Sequence, residues 1–302
     1  MLRGKVDRGW RRGERLSHPE GGEHRRPHRG AEVEGVRIFP DKRALRGGEE
    51  LAPVTLAKLG GSVITDKTKP FSFRAEVVSA LGEEIAASHE RVVLVHGGGS
   101  FGHSVAKEYG LTSRAYSRGG EGVSKTRDAM YALNQLVCRA LMGAGVETYP
   151  FAPFDLLVNS NEEHARSWLK NLLSSGLCPV TFGDVSSYPR GFRILSGDTI
   201  MLELAKVLRP VRCVFALDVD GVYRGREENK KAGNLLRRIS ASEMRKLKVG
   251  LGDDATGGIK LKLEVAAKIA SLGTRVSFVS GFRRAEFAKA LKGLDFYGTV
   301  VV

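Results

Sequence analysis

The sequence predicts an α/β fold built on a mainly parallel sheet and arranged as two lobes. Three observations carry this. Apolar runs of strand length alternate with helix-length amphipathic segments from residue 54 to the end of the chain. Several of those runs stop at a glycine-rich turn, as strands do where they hand over to helices in such folds. The 302 residues show no internal repeat and are long enough for one large domain or two lobes.

The elements follow in order. Val54–Leu59 is a short apolar strand ending at Gly60-Gly61. Arg74–Ser88 has helical spacing, with Val77, Val78, Leu81 and Ile85 on one side. Arg91–His96 (RVVLVH) is a second strand, followed at once by Gly97-Gly98-Gly99. Thr126–Met142 has the strongest amphipathic stripe: Met130, Leu133, Leu136, Val137 and Leu141. Glu162–Ser175 is a helix and Cys178–Phe182 a strand. Asp184–Leu195 reads as a hairpin turning at Pro189-Arg190-Gly191. Asp198–Leu208 is helical, Arg212–Leu217 a strand, Lys260–Leu272 a helix, Val276–Ser280 a strand and Arg284–Leu291 a helix. The closing FYGTVVV is strand-like. The junction near Leu195–Asp198 divides an N-lobe, 51–195, from a C-lobe, 196–302.

Residues 1–50 differ from this body. They hold 13 Lys+Arg, 9 Asp+Glu and 9 Gly, with only 12 apolar residues, too few to repay the entropy of ordering. The nine acids argue against a basic nucleic-acid arm and against a transit peptide, as does the single Ser17. A disordered extension is expected, or a misjudged start with translation beginning near Val36 or Leu51, since no Met lies between Met1 and Met130.

The chain as a whole is 42% hydrophobic and 27% charged, which excludes a disordered or fibrous protein. No apolar run approaches the roughly 18 residues of a spanning helix, so no membrane association is expected. The three cysteines, Cys138, Cys178 and Cys213, form no CxxC pair and no disulfide framework, which fits a reducing, cytoplasmic setting. The net charge of +14 leaves two readings open, a nucleic-acid partner or an anionic substrate.

Three glycine turns favour the second. Lys58-Leu59-Gly60-Gly61-Ser62, Gly97-Gly98-Gly99-Ser100 and Leu195-Ser196-Gly197-Asp198-Thr199 each stand where ligands bind in open α/β sheets, beyond strand ends. Backbone N–H groups in such turns can approach phosphate oxygens. Lys58 closes an apolar strand, where a lysine is costly unless an anion meets it. Lys67 follows the first turn, Lys262 opens a helix after Thr256-Gly257-Gly258, and Asp218-Val219-Asp220-Gly221 closes another strand. Donors, cations and a carboxylate to orient them or to hold Mg²⁺ are what phosphoryl transfer needs. Two formal matches fail. Gly97-x-Gly99-x-x-Gly102 fits the dinucleotide fingerprint, but the acid at the required offset is Glu121, in a glycine-rich loop. Gly119…Ser124-Lys125-Thr126 lacks the P-loop glycine before its lysine, and reads as a helix start capped by Ser124 or Thr126. His96 reads as structural. His103, one helical turn beyond the second glycine turn, could add a donor to a bound anion.

Assembled, these residues resemble the amino acid kinase superfamily and, within it, the isopentenyl phosphate kinases. The matches are KLGGSVITDK (58–67), HGGGSFGH (96–103), Phe182-Gly183-Asp184-Val185, Ser196-Gly197-Asp198, DVDGVY (218–223), Thr256-Gly257-Gly258-Ile259 with Lys262, and Gly298-Thr299-Val300. The resemblance covers essentially all of residues 54–300, leaving out the first 50. It implies an open αβα sandwich, usually a homodimer, with an acceptor-binding N-lobe and a nucleotide-binding C-lobe.

The roles below are those the resemblance implies. Lys58, Gly60, Gly61 and Ser62 would cradle ATP phosphates, and Lys67 would stabilise the transferring phosphoryl. Gly98, Gly99 and His103 would hold the acceptor's phosphate, with Gly183 nearby. Asp198 would hold the phosphate-binding lysines in place. Asp218 and Tyr223 would meet the nucleoside. Gly258 and Lys262 would be late ATP contacts, with Lys260 competing for the second role. The implied substrates are isopentenyl phosphate and ATP with Mg²⁺, no nucleic acid being required. The isoprenoid tail needs an apolar pocket, for which the face beside Thr126–Met142 is the candidate. Two alternatives remain: a sister kinase for another phosphate, a phosphonate such as fosfomycin or a carboxylate, and a nucleic-acid or regulatory nucleotide-binding protein.

Overall fold

A computed structural model describes residues 53–112, 117–153, 161–224, 234–246 and 258–302. The segment 1–50, with its expected disorder or misjudged start, lies outside the described residues, as do Thr256 and Gly257. The described residues fall in one compact unit.

Among the described residues, strands β1 (Val54–Leu59), β2 (Arg91–His96), β3 (Thr148–Pro150), β4 (Cys178–Phe182), β7 (Arg212–Leu217), β8 (Arg238–Ile239), β9 (Arg275–Ser280) and β10 (Gly298–Val301) form one sheet in the order β3-β4-β2-β1-β7-β9-β10-β8. The first six in that order run parallel. β10 pairs antiparallel with β9, and β8 lies parallel to β10. β5 (Asp184–Tyr188) and β6 (Gly191–Leu195) form the expected hairpin, which Arg127 ties to the long helix by an ion pair of 3.3 Å with Asp184. The fold is therefore α/β on a mainly parallel sheet, as the alternating pattern implied.

Strand periodicity sorts the core into two faces. On β1, β2 and β7 the residues Val54, Leu56, Val93, Val95, Cys213 and Phe215 face one layer. Ala57, Leu59, Val92, Leu94, Val214 and Ala216 face the other. Helices α5 (Glu162–Ser174), α6 (Gly197–Leu208), α7 (Ala241–Lys246) and α8 (Gly258–Ala270) contribute to the first layer, through Leu169, Leu204, Met244 and Ala266 among others. Helices α2 (Ala75–Ser88), α4 (Gly120–Gly143) and α9 (Glu286–Lys292) contribute to the second. The result is a three-layer αβα arrangement.

Three local expectations change. The long helix begins at Gly120, so Ser124 and Thr126 do not cap it; Thr126 is buried mid-helix. Its stripe of Met130, Leu133, Val137 and Leu141 is buried core and offers no open wall for a tail. The chain after Gly60 also turns straight into a short helix, α1 (Gly61–Ile64), and Gly99 opens helix α3 (Gly99–Glu108). The edge strands β3 and β8, of three and two residues, are too short to leave a periodic signal.

Candidate active site

Chain order reverses at β1: β2 and β4 lie to one side of it, β7 and β9 to the other. Ligands in open α/β sheets bind at such a switch point, beyond the carboxyl ends of the strands. The glycine turns after β1 and β2 meet there backbone to backbone. A Cβ on Gly61 would stand 2.5 Å from the Gly99 nitrogen, and one on Gly97 would stand 2.7 Å from the Gly61 nitrogen. Only glycine permits this approach, which sets two strings of N–H groups side by side. Gly60 is fixed by its N–H to the Ala216 carbonyl on β7, at 3.0 Å.

The same parity that sorts the core places Lys58 on the face of Val54 and Leu56, toward α6 and α8. There, 5% exposed, it meets Asp198 with Nζ 2.6 Å from Oδ1. Lys262, from the first turns of α8, places its Nζ 3.1 Å from both oxygens of the same carboxylate. Lys260 is exposed. Asp198 sits in the first turn of α6, capped by the Ser196 side chain accepting from the Thr199 N–H at 3.1 Å, where the helix dipole favours a negative charge. Burial acts to raise its carboxyl, but the charges of Lys262 and Lys58 outweigh it and hold the group down at about 2. Burial and the Lys262 ammonium bring Lys58 down to about 7 against the pull of Asp198. Gly197 leaves room for the lysine: a Cβ there would lie 3.2 Å from Lys58 Cε and 3.2 Å from the His96 carbonyl. Gly183, following β4, donates its N–H to that carbonyl at 3.2 Å.

His96 points to the opposite face, with Nε2 3.1 Å from Asn134 Oδ1 and its ring stacked on Phe182. Burial pushes its imidazole down to about 4, so it is neutral and structural. His103 lies half-buried on α3, one turn beyond Gly99. Lys67 lies exposed in the loop between α1 and α2. Ser62, on α1, is anchored through its carbonyl, which accepts from Arg74 Nη1 at 2.6 Å.

Beyond β7, Asp218 is exposed, while Asp220 is gripped by both sides of the Arg283 guanidinium and by the Tyr223 hydroxyl at 3.1 Å. Arg283 therefore holds the Asp220 carboxyl below the usual carboxylate range, with the Tyr223 hydroxyl adding to it. Thr299, wholly buried on β10, accepts the Val222 N–H at 2.8 Å and leaves no room for a side chain at Gly221. Gly258 begins α8. The structure thus brings Lys58, Asp198, Lys262 and the first two glycine turns together at the switch point, with Gly183 and Gly197 packed beside them. Asp218 and Tyr223 follow the neighbouring strand β7.

Sequence reasoning missed Thr65, Ser100, Asn134, Arg283 and Met130's second role. The Met130 sulfur packs 3.1 Å from where a Cβ of Gly98 would stand, backing the second turn. Thr65 and Ser100 lay inside motifs already singled out, and Met130 on the amphipathic stripe; Asn134 and Arg283 carry no local mark. Among the described residues, no three His, Cys, Asp or Glu side chains converge as a metal site, and no helix is long and apolar enough to cross a membrane.

Residues 53–280 match the amino acid kinase family. Isopentenyl phosphate kinase of Thermoplasma acidophilum is 30% identical over 247 residues, 82% of this chain and 99% of the relative. That of Haloferax volcanii is 35% identical over 230 residues, 73% of this chain and 88% of the relative. A crystal structure of an isopentenyl phosphate kinase substrate complex superposes with a TM-score of 0.67 at 28% identity, over 82% of this chain and all of that one. A UMP kinase from Bacillus anthracis, at 17% identity and a TM-score of 0.59, shares the fold.

Proposed function

This chain belongs to the amino acid kinase family and, within it, to the isopentenyl phosphate kinases, and from that premise we propose that it transfers the γ-phosphoryl of ATP to isopentenyl phosphate. The products are isopentenyl diphosphate and ADP. The observation that carries the reading is the Lys58–Asp198–Lys262 cluster beside two touching glycine turns at the switch point. It gathers positive charge and backbone donors where two phosphate groups must be brought together.

The division of labour follows from the chemistry. Gly60, Gly61 and Ser62 with Lys58 and Lys262 cradle the phosphates of ATP, and Asp198 keeps the two lysines aimed. Gly98, Gly99 and His103 hold the phosphate of the acceptor, with Gly183 beside them. An oxygen of that phosphate attacks the γ-phosphorus as the bond to ADP breaks. The attacking oxygen is already anionic, so no strong base is required. The protein's contribution is alignment and neutralisation of the charge on the transferring group, in which Lys67 takes part. Asp218 and Tyr223 meet the nucleoside, and Gly258 opens the helix that delivers Lys262.

Mg²⁺ would be held chiefly by ATP phosphates and water, since among the described residues no three carboxylate, histidine or cysteine side chains converge to cage it. It would supply further charge neutralisation. The acceptor half is 51–195 and the nucleotide half 196–302. The three cysteines are buried and unbridged, which supports a reducing, cytoplasmic setting. A homodimer is the expected assembly. Turnover of a panel of acceptors with labelled ATP tests the reading: isopentenyl phosphate should be phosphorylated far faster than a phosphonate, a carboxylate or a nucleotide. Preference for another acceptor would move the chain to a sister activity, and salt-sensitive nucleic-acid binding without ATP turnover would remove it from the kinases.

A further inference from the structure

The loop that carries Lys67 is tied both within itself and to the start of α3. It runs from Thr65 to Phe73, which pair as an isolated bridge at its neck. Within it the Asp66 N–H donates to the Ser72 carbonyl at 3.0 Å and Asp66 Oδ1 accepts the Thr68 N–H at 3.0 Å, and the start of α3 supplies the ties to the glycine turns. The Thr65 hydroxyl, wholly buried, donates to the Gly61 carbonyl at 2.7 Å and accepts the Ser100 N–H at 2.9 Å. Ser100, 2% exposed, accepts the Ser72 N–H on its Oγ at 3.1 Å, and its carbonyl accepts the Phe71 N–H at 3.3 Å. Gly99, at φ +47, leaves the hydroxyl its space: a Cβ there would stand 2.0 Å from Thr65 Oγ1. One hydroxyl therefore joins the first glycine turn, the second glycine turn and the base of the Lys67 loop.

We propose that Thr65 is a positioning residue for phosphoryl transfer, holding Lys67 in register with the two glycine turns so that donor and acceptor phosphates meet the same cation. The inference rests on the assignment of Lys67 to the transferring phosphoryl. Its physical basis is that the Gly61 carbonyl keeps a second donor, the Thr65 N–H at 3.0 Å, whereas the Ser100 N–H has Thr65 Oγ1 as its buried acceptor. Removing the hydroxyl leaves that N–H without a partner, and a buried unsatisfied donor moves toward another. The move shifts the turn relative to the loop. Misplacement of a reacting group by about 1 Å costs on the order of a hundredfold in rate.

The test is a double-mutant cycle on the full chain with isopentenyl phosphate and ATP. Thr65→Val, nearly isosteric, should lower kcat by about tenfold to a hundredfold while KM for ATP changes by less than about threefold. Thr65→Ser should restore turnover. In a Lys67→Ala background, Thr65→Val should add little, because the group it positions is gone. A Thr65→Val protein as fast as the parent, or one losing as much with Lys67 absent as with it present, would overturn the proposal. Full turnover by Lys67→Ala alone would instead remove the assignment of Lys67, an outcome separate from the Thr65 comparison. If Thr65→Val does not fold, Ser100→Ala reads the same coupling through Ser72: lowered kcat and the same non-additivity support it, and additivity overturns it.

Discussion

Asp198 Oδ1 lies 2.6 Å from the Nζ of Lys58, a carboxylate from the start of one helix against an ammonium from the middle layer of the sheet, both nearly excluded from water. Lys262 completes the cluster on the other side of the same carboxylate. With Lys58 protonated the three charges sum to +1, a surplus that would suit an ATP phosphate.

Asp198→Asn removes the counter-charge of the buried Lys58, which must then shed its proton or stay as an uncompensated charge facing Lys262. Breaking a buried charge pair in this way costs about 3–5 kcal/mol. Urea denaturation should show a loss of that order together with collapse of turnover. A variant with parental stability would mean that the lysines are held by something other than Asp198.

Lys58, as the proposed ATP contact, should make ATP binding depend on pH. With its ammonium titrating at about 7 in the free enzyme, Lys58 is largely neutral at pH 8 and largely charged at pH 6. Phosphates favour the charged form, so binding at pH 8 should take up close to one proton and binding at pH 6 almost none. ATP affinity should weaken by up to about tenfold per pH unit above 7. The stability contribution has the opposite slope: from about 7 to the unfolded value of 10.5 the unfolded chain holds more protons at this lysine, so raising pH stabilises the fold. Calorimetry of ATP binding in buffers of different ionisation enthalpy measures the uptake; identical heats at pH 8 would contradict it.

His103→Ala should cut turnover by about a hundredfold or more, the range for a positioned donor on a reacting group, while ATP still binds. The separation of the two readouts is the point, since His103 stands on the helix that follows the second glycine turn, the proposed acceptor site. Unchanged turnover would end its assignment to the acceptor phosphate.

Gly61→Ala should destabilise by about 1–3 kcal/mol, because the new methyl meets the backbone of Gly99, which cannot swing aside as a flexible side chain would. Gly143→Ala is the matched control. It is also helical but has nothing within 4 Å, so it should be neutral or gain up to about 1 kcal/mol. Thermal melts of both variants give the comparison; equal melting temperatures would deny the contact between the turns.

The apolar periodicity of β1, β2, β7 and β9 and the glycines that follow β1 and β2 are local signals, readable because strand parity and turn chemistry act over a few residues. They were sufficient for the fold class, for the hairpin at 184–195 and for the position of the glycine turns beyond the strand ends. The long helix was read six residues short because Gly120 and Gly122 weaken a helical pattern that packing against α3 sustains.

What the sequence by itself determined is the alternation of elements, the kinds of chemical group available and their family. What only the tertiary structure decided is which groups meet. Lys260 and Lys262 are alike in sequence, and one of them reaches Asp198, 64 residues away, because their side chains leave the helix about 200° apart. Thr65 and Ser100 stand 35 residues apart and meet because two glycine turns touch. Such pairings are set by strand order and by the space a missing Cβ leaves, neither of which is written in any short stretch of the chain.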